Sequence, residues 1–188
     1  MHKDSHSSHF IGTVQLNEKS SFGHLVLRGS VTNKTFMKTA KACLSTALPN
    51  LLKMISMKEL SVFWISPDEW LILIDAPEMH DLEKKFHQSF GALDEDCHYA
   101  LTDVSGGQSI FTLEGTDAIN VLKKISHYDF GNSNFPIGKV VTTSVAKSQA
   151  VIYRTSDVCW ELVVRSSFKD YLWHVIDDAC EEFRINRA

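Results

Sequence analysis

The chain has 188 residues, of which 44% are hydrophobic and 22% charged, with a net charge of −4. That is enough apolar material for one domain with a real core, while the acidic balance gives no support to a nucleic-acid surface, which needs a basic face. No apolar run approaches the ~20 residues of a membrane span, and four scattered cysteines (Cys43, Cys97, Cys159, Cys180) fit reduced thiols in a cytoplasmic protein rather than a zinc or redox motif.

Residues 1–22 are rich in Ser, His, Asn and Lys and read as a flexible tail, with a short strand over 10–16. They lack the apolar middle of a secretion signal. His2, His6 and His9 suggest a metal site, but scattered histidines in a tail have no rigid surroundings to orient them, and a solvated tail is the stronger reading.

The remaining residues, 23–188, read as one domain in two halves, about 23–95 and 96–188. Residues 24–28 form an apolar strand closed by Gly29. Phe36, Ala40, Cys43, Leu44 and Ala47 recur at helical spacing until Pro49 and Asn50 stop them. Two apolar strands, 62–65 and 70–74, flank Ser66-Pro67-Asp68-Glu69, in which Pro67 presets φ for a turn. Met79, Leu82, Phe86 and Phe90 then mark a second helix.

The second half repeats this order. A strand over 110–113 closes on Gly115, Thr116 caps a helix whose inner face is Ile119, Leu122 and Ile125, and a loop spans 127–136. Strands over 139–145, 150–154 and 160–164 follow, and a last helix carries Phe168, Leu172, Val175, Ile176, Ala179 and Phe183 on one stripe. "VLRG" matches "TLEG", and "FWISPDEWLILI" matches "VIYRTSDVCWELVV". The fold class is therefore α+β, with two pseudo-repeated β-α-β-β-α halves. A unit that small buries its apolar face poorly alone, which favours two copies.

"SPDEWLIL" (66–73), "DVSGGQSIFTLEG" (103–115), "FPIG" (135–138) and "YRTSDVCWELVVRSSFKDYLW" (153–173) stand in order. With these strings the chain resembles the gamma subunit family of heterotetrameric sarcosine oxidase from about residue 25 to 183. The resemblance implies a fold similar to the folate-binding domain of the glycine-cleavage T protein. It implies a holoenzyme that oxidatively demethylates sarcosine to glycine, reduces oxygen to peroxide and passes the one-carbon unit to tetrahydrofolate. FAD, FMN, NAD and zinc would belong to the alpha, beta and delta subunits, with tetrahydrofolate also bound outside this chain. Alpha would be the chief partner and this chain a subunit for assembly. In the T-protein relatives an Asp-rich strand supplies the acid for aminomethyl transfer. The matching stretch here, "SQAVIYRTSD", has no acid on the strand itself, and the Lys-Gly-Cys-Tyr string of an iron–sulfur branch of the fold is absent too. Both departures imply no catalytic residue in this chain.

Asp103-x-Ser105-Gly106-Gly107 is the most ligand-like element: its N–H groups could cradle an anion while Asp103 holds an amine or a pterin edge. Asp103 and Ser105 are the candidate cofactor contacts, but a hairpin turn explains every residue of the element, and no phosphate-binding pattern accompanies it. Trp64, Trp70, Trp160 and Trp173 fit core or interface better than flavin stacking. His174 with Asp177 and Asp178 is more simply a solvated helix face. The loop 127–136 offers Tyr128, Phe130, Phe135 and Pro136 as a partner surface; its rings folding back onto the protein's own core is an equal alternative. The rival functions are a free-standing folate-binding or aminomethyltransferase-like protein, and a regulatory protein without ligand or oxidase. The holoenzyme's choice among N-methyl amines and the isolated chain's oligomeric state leave no trace in the sequence.

Overall fold

The computed structural model describes residues 13–93 and 97–184. The chain divides into two compact units, one spanning 21–105 and the other running from 106 onward and including the N-terminal strand. The expected boundaries at 22 and 95 shift because each unit takes one strand from outside its repeat.

In the unit 21–105 the order is β2 (Phe22–Gly29), α1 (Lys34–Leu44), β3 (Met54–Ser56), β4 (Leu60–Ser66), β5 (Glu69–Asp75), α2 (Met79–Gly91) and β6 (Tyr99–Asp103). They form an antiparallel sheet in the order β3-β4-β5-β2-β6. Leu25, Leu27, Val62, Trp70, Ile72 and Ile74 from the strands and Phe36, Ala40, Leu82, Phe86 and Phe90 from the helices make one core cluster. Phe63, Leu71 and Leu73, which alternate with these residues along the strands, are also buried. This is why the strands read as continuous apolar runs rather than as alternation. Helix α1 begins at Asn33, whose side chain accepts from the N–H groups of Thr35 and Phe36. It ends at Leu44 rather than near Pro49, because Ser45 turns left-handed (φ 59°).

In the other unit the order is β1 (Gln15–Lys19), β7 (Gln108–Glu114), α3 (Ala118–Ile125), β8 (Val140–Val145), β9 (Ser148–Arg154), β10 (Cys159–Arg165) and α4 (Lys169–Cys180), with sheet order β1-β7-β10-β9-β8. The short strand expected over 10–16 of the tail is found at Gln15–Lys19, where it serves as an edge strand paired with β7 from Gln15↔Glu114 to Lys19↔Ile110. The tail's first twelve positions, His2, His6 and His9 among them, lie outside the described residues. Helix α3 starts after Asp117 rather than being capped by Thr116, and buries Ala118, Val121, Leu122 and Ile125; Ile119 is only half-buried.

The two sheets correspond strand for strand, β6-β2-β5-β4-β3 against β1-β7-β10-β9-β8. The glycine ending β2 and the glycine following β7 make the same bond: Gly29 N–H donates to the Asp68 carbonyl at 3.0 Å, and Gly115 N–H to the Val158 carbonyl at 2.9 Å. Both acceptors lie in the turn before the central strand. The duplication read in the text is thus repeated in backbone geometry, as β-β-α-β-β-β-α once β1 and β6 are counted.

Candidate functional site

Asp103 and Ser105 come together, but onto each other. Ser105 donates to Asp103 Oδ1 through its backbone N–H at 2.8 Å and its hydroxyl at 2.5 Å. These two bonds, side chain first, hold the Asp103 carboxyl below the usual carboxylate range. Ser105 Oγ also accepts from the backbone N–H of buried His24 at 2.9 Å. The element is not a hairpin turn: β6 pairs with β2 whereas β7 pairs with β1 and β10, so residues 105–107 carry the chain between two sheets. The bonds of Asp103 and Ser105 stay within the unit 21–105.

The loop 127–136 is built inward. Phe130 and Phe135 are both 0% exposed, their centroids 5.6 and 4.9 Å from the buried indole of Trp160. Tyr128 leans on both at 5.3 and 5.9 Å. The reading of Phe130 and Phe135 as rings offered to a partner is corrected: they fill their own unit, because Trp160 presents an aromatic wall that water would otherwise wet. Arg154, also buried, locks the arrangement. Its guanidinium lies 5.3 Å from the Trp160 ring and donates to the carbonyls of Phe135 at 3.3 Å, Ser156 at 2.9 Å and Asp157 at 2.7 Å. Asp129 Oδ1 accepts from Gly131 N–H at 2.9 Å and Asn134 Nδ2 donates to the Asp129 carbonyl at 2.9 Å, so the loop's small polar residues shape its backbone. What it leaves outside is its polar residues His127, Asp129, Asn132, Ser133 and Asn134, together with Pro136 and part of Tyr128, and Ile137 just beyond it is exposed as well.

Trp70 fills the corresponding place in the other unit, its Nε1 donating to the Pro49 carbonyl at 3.0 Å. Trp173 meets Phe111 edge-on at 5.5 Å, and Trp64 is half-buried against the first unit's core. Trp70, Trp160 and Trp173 are core residues, and Trp64 borders the core. His174 is exposed, and Asp177 is taken up by the Arg184 guanidinium.

Sequence reasoning passed over one constellation. Asn17, Thr112, Glu161 and Tyr153 are successive cross-strand partners over β1, β7, β10 and β9. They form a polar row on the sheet face opposite Phe111, which packs on α4. Glu161 is buried; Lys19 Nζ lies 2.6 Å from its Oε1 and the Tyr153 hydroxyl donates to its Oε2 at 2.5 Å. Burial first, then the neighbouring carboxylate, push the Tyr153 phenol well above its ordinary value. Both carboxylate oxygens are engaged, so the trio ties β1, β10 and β9 together rather than presenting an open acid. Its signal in sequence was a lone acid inside "CWELVV", an apolar run. Among the described residues no cluster of three or more His, Cys, Asp or Glu side chains could hold a metal.

The comparisons with known proteins bear on this geometry. Residues 28–182 match a model of the sarcosine oxidase, gamma subunit family. The chain is 30% identical to a sarcosine oxidase subunit gamma from Corynebacterium sp. (strain P-1) over 174 residues, covering 92% of this chain and 82% of that one. It superimposes on a chain of the heterotetrameric sarcosine oxidase from Corynebacterium sp. U-96 with a TM-score of 0.83, at 25% identity and covering 93% and 87% of the two chains. It also superimposes on glycine cleavage system aminomethyltransferase T from Bartonella henselae with a TM-score of 0.62 at 13% identity, covering 89% of this chain and 47% of that protein. The second likeness is one of fold, and bears out the similarity expected from the sequence.

Proposed function

The chain belongs to the sarcosine oxidase gamma subunit family, and from that premise we propose that it serves as the non-catalytic accessory subunit of a heterotetrameric sarcosine oxidase. In this reading the holoenzyme converts sarcosine to glycine and hands the one-carbon unit to tetrahydrofolate. FAD, FMN, NAD, zinc and tetrahydrofolate sit on the alpha, beta and delta subunits, alpha being this chain's chief contact in the cytoplasm. The observation that carries the reading is the extent of the likeness: it runs through both units, with the fold retained at a TM-score of 0.83. The non-catalytic role is supported by the candidate polar residues, since Asp103, Ser105 and Glu161 each spend their bonds on the chain's own strands. Within the loop, the apolar surface available to a partner reduces to Tyr128 and Pro136, set among the exposed polar residues His127, Asp129 and 132–134.

The test is reconstitution. The other subunits from the same organism are co-expressed with and without this chain, and assembly and sarcosine-dependent peroxide formation are measured. Failure of the chain to co-purify with them sinks the reading. The fold likeness to an aminomethyltransferase keeps a second reading in view, a free-standing folate-binding or aminomethyl-transferring protein. Calorimetry of the isolated chain with tetrahydrofolate decides it, and heat of stoichiometric binding would favour it.

A further inference from the structure

At the tip of the β8–β9 hairpin lies an open cleft of about 350 Å³. Ser144 and Gln149 face each other across the hairpin, Lys147 stands at its tip, Arg165 ends β10, and Phe168 lines the cleft with them. The tip is fixed in place: Ala146 N–H donates to the Ile125 carbonyl at 2.7 Å, and Ala146 holds a positive φ of 48°, which a non-glycine residue adopts only when its surroundings impose it.

The charges of this cleft are unbalanced. Lys19, Lys124, Arg154, Lys169 and Arg184 are each paired with a carboxylate in the same unit. Lys147 and Arg165, like Lys123 and Lys139, have no such partner among the described residues; what sets the first two apart is that they line one cleft and no carboxylate lines it with them. Two like charges brought together repel, and a shared anion relieves that repulsion. Beside them Phe168 and Tyr171 are each 37% exposed and meet edge-on at 6.5 Å. An exposed aromatic pair next to an unpaired arginine is the composition of a protein interface rather than of idle surface.

We propose that this cleft docks an acidic segment of a partner subunit, with a carboxylate between Lys147 and Arg165 and a neighbouring apolar side chain against Phe168 and Tyr171. The inference rests on the subunit reading above and adds the chemistry of the contact. The chain's net charge of −4 repels an acidic segment elsewhere, so an isolated cationic cleft fixes where it lands. The volume is near the lower end of the ~300–1,000 Å³ typical of small-molecule pockets, and the cleft is open to solvent, which suits one side chain better than an enclosed ligand.

The experiment measures binding of the full chain to the remaining oxidase subunits across a salt series. It uses wild type, Lys147→Glu/Arg165→Glu, Lys147→Arg/Arg165→Lys and Phe168→Ala, each first checked for unchanged thermal unfolding. The double reversal is expected to bind about tenfold weaker or worse and to lose its salt dependence, while the conservative pair stays close to wild type. Hydrogen exchange on the wild-type complex is expected to protect 144–149 and 165–171. If the double reversal binds as wild type does while the complex still forms, the cleft is not the contact and the subunit reading survives. If the wild-type chain binds no subunit, both fall. Protection of the cleft by millimolar inorganic phosphate, with none from the subunits, would make it a small-anion site and overturn the partner assignment.

Discussion

The Lys19 ammonium lies 2.6 Å from Glu161 Oε1, joining an edge strand at the start of the chain to the middle of a strand 142 positions later. Glu161 is nearly buried whereas the Lys19 side chain is 39% exposed, so the lysine carries its charge inward from the rim. Without it the buried carboxylate keeps only the Tyr153 hydroxyl, and desolvation of the carboxylate is poorly offset.

This sets up a double-mutant test. Lys19→Met is expected to destabilise the wild type by about 1–3 kcal/mol, the range for leaving a buried polar group without its partner, with solvent screening at Lys19 keeping it toward the low end. In a Glu161→Gln background the same change should cost less, by at least about 0.5 kcal/mol of coupling. Urea unfolding of the four proteins gives the coupling energy; a value near zero would mean that the Lys19–Glu161 pair adds nothing to the hold of the backbone ladder, the buried Leu16 and the Glu18–Lys169 pair on β1.

Tyr153 predicts the alkaline limb of the stability curve. Its folded pKa is raised above the ordinary value of 10.0, by burial first and Glu161 second. The stabilisation from keeping this phenol neutral is therefore complete below pH 10 and is lost as pH rises through the folded pKa. Tyr153→Phe keeps a neutral ring and removes the titration. The stability difference between wild type and Tyr153→Phe should be flat from pH 7 to about 10 and shrink above it. A flat difference up to the point of unfolding would show that Tyr153 ionises without cost.

The elements with strong apolar periodicity were legible from the text, and so was their duplication. Helix α1, helix α2 and the paired central strands β5 and β10 follow from where Phe36, Leu82, Trp70 and Trp160 recur. The misses have physical causes. The bounds of strand β1 were hidden because "QLNEK", an edge strand with one polar face, shows little apolar pattern, and its pairing with β7 is decided some 95 residues downstream. The end of α1 at Ser45 was hidden because serine, unlike glycine, does not announce a left-handed residue. Residues 105–107 have hairpin composition, yet no local signal reports that the strands on either side belong to different sheets. Phe130 and Phe135 could have pointed either way; Trp160 and Arg154, brought beside them only by the fold, decide it.

Because those rings are core, their loss should act on the isolated chain. Phe130→Ala, Phe135→Ala and Trp160→Ala are each expected to cost about 3–5 kcal/mol, and Trp70→Ala the same in the other unit. Tyr128→Ala and Pro136→Ala, whose side chains are partly or wholly exposed, should cost much less. Thermal unfolding of the purified variants distinguishes the cases. A Phe135→Ala chain as stable as wild type would return the ring to the surface and reopen its role in partner contact.

The thiols should react in order of exposure. Burial pushes Cys180 up to about 11 and raises Cys159, so little of either is thiolate at neutral pH. Cys43 is buried as well, and Cys97 is half-exposed near the end of its unit's last helix–strand connection. Alkylation followed by mass spectrometry is expected to mark Cys97 first, with Cys43 and Cys180 modified only when the protein unfolds. Early labelling of Cys180 in the native protein would show that its unit opens locally.

The duplicated glycines give the sharpest sequence-level prediction, because the same residue type is required in the two units for different reasons. A Cβ on Gly115 would sit 2.0 Å from the Thr13 carbonyl oxygen, and its φ of 135° lies where L-residues rarely go. Both faults are in backbone, so nothing can swing aside, and the segment leading into β1 must move. A Cβ on Gly29 would meet the Phe36 ring at 2.2 Å. That ring is fully buried between Trp70 and Phe90, at centroid distances of 6.0 and 5.7 Å, so it cannot retreat without repacking the core. Gly115→Ala combines strained backbone with a clash and is expected to cost about 3 kcal/mol or more, above the 1–3 kcal/mol of strain alone. Gly29→Ala should cost about 1–3 kcal/mol as overpacking, and Phe36→Leu should recover part of it by freeing the ring's space. No companion change within its own unit's side chains should rescue Gly115→Ala. Urea unfolding of the two single variants and the Gly29→Ala/Phe36→Leu pair tests this. If Phe36→Leu adds its full cost to Gly29→Ala instead, the glycine is needed for its backbone and not for the ring that lies over it.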